Sequence, residues 1–369
     1  MSSANTRSLR IVHSEASCGW GGQEIRILEE ARGLIARGHD VSLLCPPEAR
    51  IYSEAPRFDV PAHPLPIGRK RLAGVLALRR WLKQQRPDVV NTHSSTDSWL
   101  AGLACASLRD PPAIVRTRHI SAPIAVNAAS RWLYGRSARH VVTTGEALRQ
   151  TLIDDLQLSP ARVTSVPTGI DTQRFAPGDK AVARQALGLE PDKRYLGIVA
   201  TLRSWKGHLY LLDAFAKLRQ DNCQLLIVGE GPMLDNIRSR IAERRLADRV
   251  LLAGQRLDPE NWLRALDVFC LPSYANEGVP QAIMQAMSSG LPIVTTPVGA
   301  ILEAVRDGHS ALVVPPRDAV ALADAVQRLL ADPALAARLG SAARQRAGEH
   351  FARERMLERM EAIFSATTG

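Results

Sequence analysis

Short, mostly apolar runs alternate along this chain with longer stretches whose apolar positions recur every three or four residues. Leu9–His13, Asp40–Cys45, Val89–Thr92, Ala113–Thr117 and His140–Thr143 read as strands, and Gly22–Arg37 as the first intervening helix. After about residue 178 the alternation restarts with Tyr195–Leu202, Gln224–Val228, Val250–Ala253, Val268–Leu271, Ile293–Thr295 and Leu312–Val314. Strand–helix–strand succession of this kind belongs to parallel sheets covered by helices on both faces. About twelve strands exceed one comfortable open sheet, so two doubly wound α/β domains are expected. Val166–Gly178, with Pro167, Gly169 and Pro177 and no periodicity, is the linker candidate. The expected domains are 1–170, completed by a C-terminal helix at about 350–369, and 178–349. Two such halves would turn their strand ends toward each other across a cleft, where ligands of open sheets bind.

Composition narrows the class. At 369 residues, 46% hydrophobic and 23% charged, the chain is neither disordered, collagenous nor a small disulfide scaffold. The net charge of +10 is lopsided: residues 1–170 hold 22 Lys+Arg against 14 Asp+Glu, the remainder 25 against 23. A basic first half suits an anionic partner. Five cysteines (Cys18, Cys45, Cys105, Cys223, Cys270) form no CxxC pair, and four lie in or beside apolar runs, as reduced core thiols do. Met1–Ser8 is short and polar, without the apolar core of a secretory leader, so a cytoplasmic protein is expected. The uncharged run Gly278–Leu302 is broken by Pro280, Pro292 and Pro297 and reads as a buried helix–loop–strand, not a membrane span.

Four segments could carry chemistry. Gly19-Trp20-Gly21-Gly22 follows the first strand and opens a helix, where free N–H groups favour an anion; a plain strand–helix turn reads the same. Arg203-Ser204-Trp205-Lys206-Gly207 lies between the strand Tyr195–Leu202 and a helix expected over His208–Leu218. Its cations could neutralise a diphosphate or form an ordinary solvated turn. Glu277-Gly278-Val279-Pro280 precedes another helix, with Pro280 suited to its first turn and the N–H groups of Gly278, Val279 and Gln281 directed outward. Gln281, Gln285 and Ser288 would share one face of it, with a polar solvated helix face as the alternative reading. Gly68–Arg86 contains Arg69, Lys70, Arg71, Arg79, Arg80, Lys83 and Arg86, no acid, and Trp81. Val75, Leu78 and Leu82 would pack on the sheet, leaving the cations for an anionic membrane or acceptor and Trp81 at headgroup level; a solvated basic helix is the alternative. His93 and His119 both follow first-half strands. No HExxH, Asp-x-Asp, GxSxG or Cys/His ligand grouping occurs, which disfavours metal catalysis and acyl-transfer hydrolysis. Basic residues are not interleaved with aromatics as in a nucleic-acid module, so no nucleic-acid partner is expected.

In order along the chain come Val166-Pro167-Thr168-Gly169-Ile170-Asp171 with Phe175, Lys206-Gly207, and Val228-Gly229-Glu230-Gly231-Pro232. Leu271-Pro272-Ser273, Glu277-Gly278, Ala286-Met287, Gly290-Leu291-Pro292, Val298-Gly299 and Glu303 follow. This series resembles the retaining glycosyltransferases of family 4, the "group 1" family, over about residues 9–315. The resemblance implies the GT-B fold, two facing Rossmann-like domains, and transfer of a sugar from a UDP- or GDP-linked donor without a metal or other cofactor. It implies that Arg203 and Lys206 hold the donor diphosphate, with Gly229, Gly231, Gly278, Val279 and Gln285 also at the donor. Glu277 and His119 would contact the donor sugar, and Gly21-Gly22 would face the phosphates and the acceptor. Glu277, His119 and Lys206 are thereby the expected catalytic residues. The expected acceptor is a glycan or lipid-linked sugar of bacterial surface polysaccharide, lipopolysaccharide or glycolipid synthesis, met at the inner membrane face. A nucleotide-sugar epimerase or a phosphorylase on the same architecture is the alternative. Three positions depart from the family pattern: Gln285 stands for the usual second glutamate, Thr201 for a cation, and Ala300 for a glycine.

Overall fold

The computed structural model describes residues 7–119, 123–218 and 222–368. Seven parallel strands form the first sheet: β1 (Arg10–Ser14), β2 (Asp40–Cys45), β3 (Ala62–Pro64), β4 (Val89–Thr92), β5 (Ala113–Arg118), β6 (His140–Thr143) and β7 (Val163–Ser165). They lie in the order β3-β2-β1-β4-β5-β6-β7. Six parallel strands form the second: β8 (Arg194–Val199), β9 (Cys223–Val228), β10 (Val250–Gly254), β11 (Val268–Leu271), β12 (Ile293–Thr295) and β13 (Leu312–Val313), in the order β10-β9-β8-β11-β12-β13. Contacts divide the chain into a first unit that runs to Gly169 and takes back the residues from Glu354 onward, and a second unit, Ile170–Arg353.

Both faces of the first sheet are covered, which explains why its strands are apolar without alternation. Ile11, Leu43 and Val89 point into one core; their neighbours Val12, Leu44 and Val90 point into another on the opposite face. Met356, Leu357, Met360 and Phe364 of the last helix, Arg353–Thr368, complete the first of these cores. That helix lies close against the helix Gly22–Ala36 because Gly33 has no side chain: a Cβ there would stand 2.4 Å from Leu357 Cδ1.

Two strands have no counterpart in the sequence pattern. Ala62–Pro64 and Val163–Ser165 are three residues long at opposite edges of the sheet, and neither forms an apolar run: the first holds His63 and Pro64, the second Thr164 and Ser165. The apolar run expected as a strand to Leu202 stops at Val199. Beyond it, Ala200 N–H donates to Val228 O and Leu202 N–H to Glu230 O, which folds the segment into a loop. The following helix ends at Phe215, short of the expected Leu218. Cys45, Cys105, Cys223 and Cys270 are buried thiols and Cys18 is exposed.

Each sheet reverses its strand order once. The reversal lies between β1 and β4 in the first unit and between β8 and β11 in the second. At such a point the loops leaving the carboxyl ends diverge to opposite faces and leave a crevice.

Candidate active site

In the second unit, the loops after β8 and β11 meet at the reversal point. The first carries Arg203 to Gly207, with a 3-10 turn over Ser204–Lys206; the second carries Pro272 to Pro280. Lys206 Nζ lies 2.8 Å from Glu277 Oε1 and 3.0 Å from Oε2, and Ser273 Oγ donates to Oε1 at 2.6 Å. Glu277 is only 4% exposed. A carboxylate with that little water requires its partners, and the lysine and the serine supply them. Backbone contacts fix the geometry. Gly207 has φ +80°, and a Cβ there would stand 2.0 Å from Pro272 O; Gly299 has φ +58°, and its Cβ would stand 2.0 Å from Glu277 O. Only residues without a side chain let these loops close on one another. Tyr274 N–H donates to Trp205 O at 2.8 Å across the same seam.

Other residues singled out in the sequence surround this pair. Among the described residues, the N–H groups of Gly278 and Val279 have no acceptor within the chain. The helix that follows runs Gln281–Ser288 with Pro280 as its N-cap, so Pro280 precedes the first turn instead of occupying it. Gln285 is half-buried on this helix. Ser288 is not on a solvated polar face: it is buried, and its Oγ donates to Phe175 O at 2.6 Å. Gly229 and Gly231 bracket Glu230, whose carbonyl holds Leu202. Arg203 is exposed, its guanidinium 5.9 Å from the centre of the Trp205 ring. His208, directly after Gly207, is buried, and desolvation lowers its pKa to about 4.

The first unit gathers a second polar group at its own reversal point. His13 in β1, His93 after β4 and His119 after β5 form a row: His13 Nδ1 lies 2.9 Å from His93 Nε2, and His93 Nδ1 2.9 Å from His119 Nε2. His13 and His93 are buried and His119 is half-buried. Burial drives the His13 pKa to about 3 and those of His93 and His119 well below the usual value. Asp97 anchors the loop, accepting from the N–H of His93 (2.8 Å), the N–H of Ser94 (2.8 Å) and Ser14 Oγ (2.9 Å). His13 was not singled out in the sequence. The signal was its place at the carboxyl end of a strand, shared with His93 and His119. The Ser94-x-x-Asp97 capping box is likewise readable from spacing alone. Ile120 and Ser121, which follow His119, lie outside the described residues.

Gly21 is the N-cap of the helix Gly22–Ala36, so the glycine loop does open a helix. Its surroundings are carboxylic, which alters the anion expectation. Glu15 Oε1 accepts from Ser17 N–H at 2.6 Å, Glu15 Oε2 accepts from Gln23 Nε2, and the buried Glu24 carboxyl sits beside Gly19 and Gly21. Burial, with Asp97 nearby, pushes the Glu15 carboxyl up to about 8. Carboxyl groups at this helix start suit hydroxyls better than phosphate.

The basic segment divides in two. Arg69, Lys70 and Arg71 precede the helix Leu72–Gln85 and are exposed; Lys70 Nζ lies 5.7 Å from the centre of the Trp99 ring. Arg80 is also exposed, beside Leu72 and Leu76, which are 73% and 51% exposed. Contrary to the expected headgroup position, Trp81 packs half-buried against the core, its ring centre 5.8 Å from that of His63. Arg79 and Lys83 turn instead to the amino end of the strands, where β1, β4 and β5 begin. There, with Arg10, Arg86, Arg109 and Arg139, they line an open cavity of 1210 Å³. The helices Leu72–Gln85 and Ser95–Ala106 end here, and Lys83, in the last turn of the first, offsets the negative end of its dipole. No helix among the described residues is long and apolar enough to cross a membrane.

Comparison with known proteins bears on the family and the fold. Residues 179–346 match the family described as Glycosyl transferases group 1, and residues 20–174 match Glycosyltransferase Family 4. A D-inositol 3-phosphate glycosyltransferase of Stackebrandtia nassauensis is 30% identical over 366 residues, covering 88% of this chain and 82% of that protein. The UDP-Gal:alpha-D-GlcNAc-diphosphoundecaprenol alpha-1,3-galactosyltransferase of Escherichia coli is 28% identical over 283 residues, 72% of each chain. Among solved structures, a glycosyltransferase of Rickettsia africae matches with a TM-score of 0.87 at 19% identity, over 98% of this chain and 99% of that one. Anabaena HepE, solved in complex with UDP-glucose, matches with a TM-score of 0.84 at 20% identity, over 97% of this chain and 100% of that one. With two parallel α/β units of seven and six strands, the fold is GT-B, and the chain belongs to glycosyltransferase family 4.

Proposed function

We propose that this glycosyltransferase moves a sugar from a nucleoside diphosphate donor to a glycan or lipid-linked acceptor, with retention at the anomeric carbon and without a metal. The observation that carries the reading is the Lys206–Glu277 pair at the second sheet's reversal point, beside the free N–H groups of Gly278 and Val279. A sugar leaving a diphosphate gains positive charge while the phosphate gains negative charge. Lys206, Arg203 and the two amides stabilise the departing phosphate, and Glu277 stabilises the sugar. Positive side chains there take the part that a cation has in other transferases.

The step balances as a front-face substitution. The anomeric C–O bond to the β-phosphate breaks, the acceptor oxygen bonds to the same face, and the acceptor's proton passes to the leaving phosphate oxygen. A covalent route would need a second carboxylate near Glu277; Gln285 stands where the family commonly has one. His119 contacts the donor sugar, and the carboxyl-lined loop around Gly21 and Gly22 receives acceptor hydroxyls. The exposed leucines and cations of the segment 69–80 hold the enzyme at an anionic membrane surface on the cytoplasmic side, as befits synthesis of surface polysaccharide, lipopolysaccharide or glycolipid. Relatives named for sugar transfer to a lipid-diphosphate sugar and for lipopolysaccharide core synthesis support that acceptor class.

The test is a calorimetric screen of UDP- and GDP-linked sugars, followed by detection of free nucleoside diphosphate with membrane extracts as acceptor. Steady release with an inverted or unchanged anomeric centre read by NMR decides the stereochemistry. Sugar isomerisation without release would instead point to an epimerase.

A further inference from the structure

Three imidazoles from three neighbouring strands stand in one hydrogen-bonded row, and the reading above uses only the last of them. Ring centres of His13 and His93, and of His93 and His119, are 5.2 Å apart, close to the strand spacing that brings them together. The row runs from a fully buried ring, His13, to a half-buried one, His119. Its inner end abuts Phe364 edge-on, with centroids 6.5 Å apart, and its middle is fixed by the Asp97 grip on the His93 backbone.

A neutral imidazole has one N–H and one lone pair, so a row of three has two consistent polarities. In one, every Nδ1 carries the proton: His13 donates to His93, His93 donates to His119, and His119 presents Nδ1–H outward. In the other, every Nε2 carries it, His119 presents a bare nitrogen, and His13 is left holding an inward N–H. Nε2 of His13 is buried and has no hydrogen-bond partner. An orphaned buried N–H is rarer than an unmatched acceptor. The buried Arg26, together with burial, keeps the His13 ring in its neutral form, so that the two polarities are the ones to compare. Arg116, which acts on His93 and His119, and Arg26 together oppose any additional proton on the row.

We propose that His13 and His93 are positioning residues that lock His119 in its Nδ1–H tautomer, so that His119 meets the donor sugar as a hydrogen-bond donor to one of its hydroxyls. The tautomer follows from the row alone; the contact with the sugar rests on the proposed function. His119 thus orients the sugar and does not act as a base.

The experiment is long-range ¹H–¹⁵N NMR of the full chain labelled in histidine, with steady-state kinetics of His93→Leu and His93→Gln. Wild type is expected to show Nδ1–H at all three residues. His93→Leu should release His119 to the Nε2–H form that free imidazole side chains prefer, and should lower kcat about 10- to 100-fold at nearly constant donor KM. In His93→Gln the amide can donate to His119 and accept from His13, so tautomer and most of the turnover should return; a merely structural role would give no such rescue. An Nε2–H signal for His119 in the wild type overturns the assignment, with or without activity. Unchanged kcat in His93→Leu despite an altered tautomer overturns the positioning role. Inactivity of every form with all nucleotide sugars, alongside the expected wild-type spectrum, would leave the row standing and refute the proposed function.

Discussion

Lys206 and Glu277 are 71 positions apart and hold each other by two contacts near 3 Å. Truncating one leaves the other unpaired in a poorly hydrated place, so the two substitutions differ in kind. Lys206→Ala removes charge from the leaving-group side and should reduce kcat by about 10²–10³-fold. Glu277→Gln keeps the shape and an oxygen that can accept from Ser273 and Lys206, but sets an NH2 in place of the second carboxylate oxygen near Lys206 and removes the charge; it should act on kcat more than on donor KM. Stopped-time product release at saturating donor separates these outcomes; wild-type turnover in Lys206→Ala would remove it from the site. Gln285→Glu restores the family's usual acid and should alter donor affinity modestly while transfer persists. Of these residues, Glu277 and Lys206 could be singled out from local motifs. Ser273 stands in a motif too, but its hydrogen bond to Glu277 could not be read there, because it depends on a side chain four residues on folding back over it.

At the scale of elements, the site is a seam between loops whose backbones touch. Gly207 and Gly299 combine a left-handed backbone with a carbonyl where a Cβ would stand. Gly207→Ala or Gly299→Ala should therefore destabilise the second unit by about 2–4 kcal/mol, from backbone strain plus overpacking. Urea titration followed by tryptophan fluorescence measures this; a loss under about 0.5 kcal/mol would mean the loops shift at little cost. The helix Leu72–Gln85 makes a separate prediction. Leu72→Asp with Leu76→Asp alters only exposed positions, so folding should be unchanged, while flotation with vesicles of anionic phospholipid at low salt should fall sharply. Equal flotation of variant and wild type would take the membrane role from this face.

Buried titratable groups couple the whole first unit to pH. His13 is neutral in the folded state down to about 3, whereas an unfolded histidine gains a proton near 6.5. Its folded pKa is depressed, so the stability it contributes is present above pH 6.5 and is lost as pH falls toward 3. Glu15, raised to about 8, has the opposite sign: its contribution is present below 4.5 and lost as pH rises through 8. Glu30 and Asp97, both raised by burial, act as Glu15 does. The histidine share is therefore read by difference. Between pH 6 and 4 the stability of His13→Gln should fall less steeply than that of wild type, by up to about 1.4 kcal/mol per pH unit. Hydrogen exchange of β1 and β4 amides reports on this unit specifically, and parallel slopes for the two proteins would contradict the buried-neutral assignment.

Sequence alone determined the α/β class, two parallel sheets, eleven of the thirteen strands and the family, because apolar strand runs, helix periodicity and glycine-bearing turns are local properties. It also marked the loop ends where Lys206, Glu277, His93 and His119 stand, since those ends follow directly from the strands. Tertiary structure decided which of these ends meet. Strand order brings β1, β4 and β5 side by side and so lines up His13, His93 and His119, although 106 positions separate the first from the last. The same ordering turned Arg79 and Lys83 away from Arg69–Arg71 and drew Trp81 inward, which composition of the segment could not foretell. Local pattern fixes what each strand and turn is; the long-range packing of one sheet against its helices fixes which side chains become neighbours.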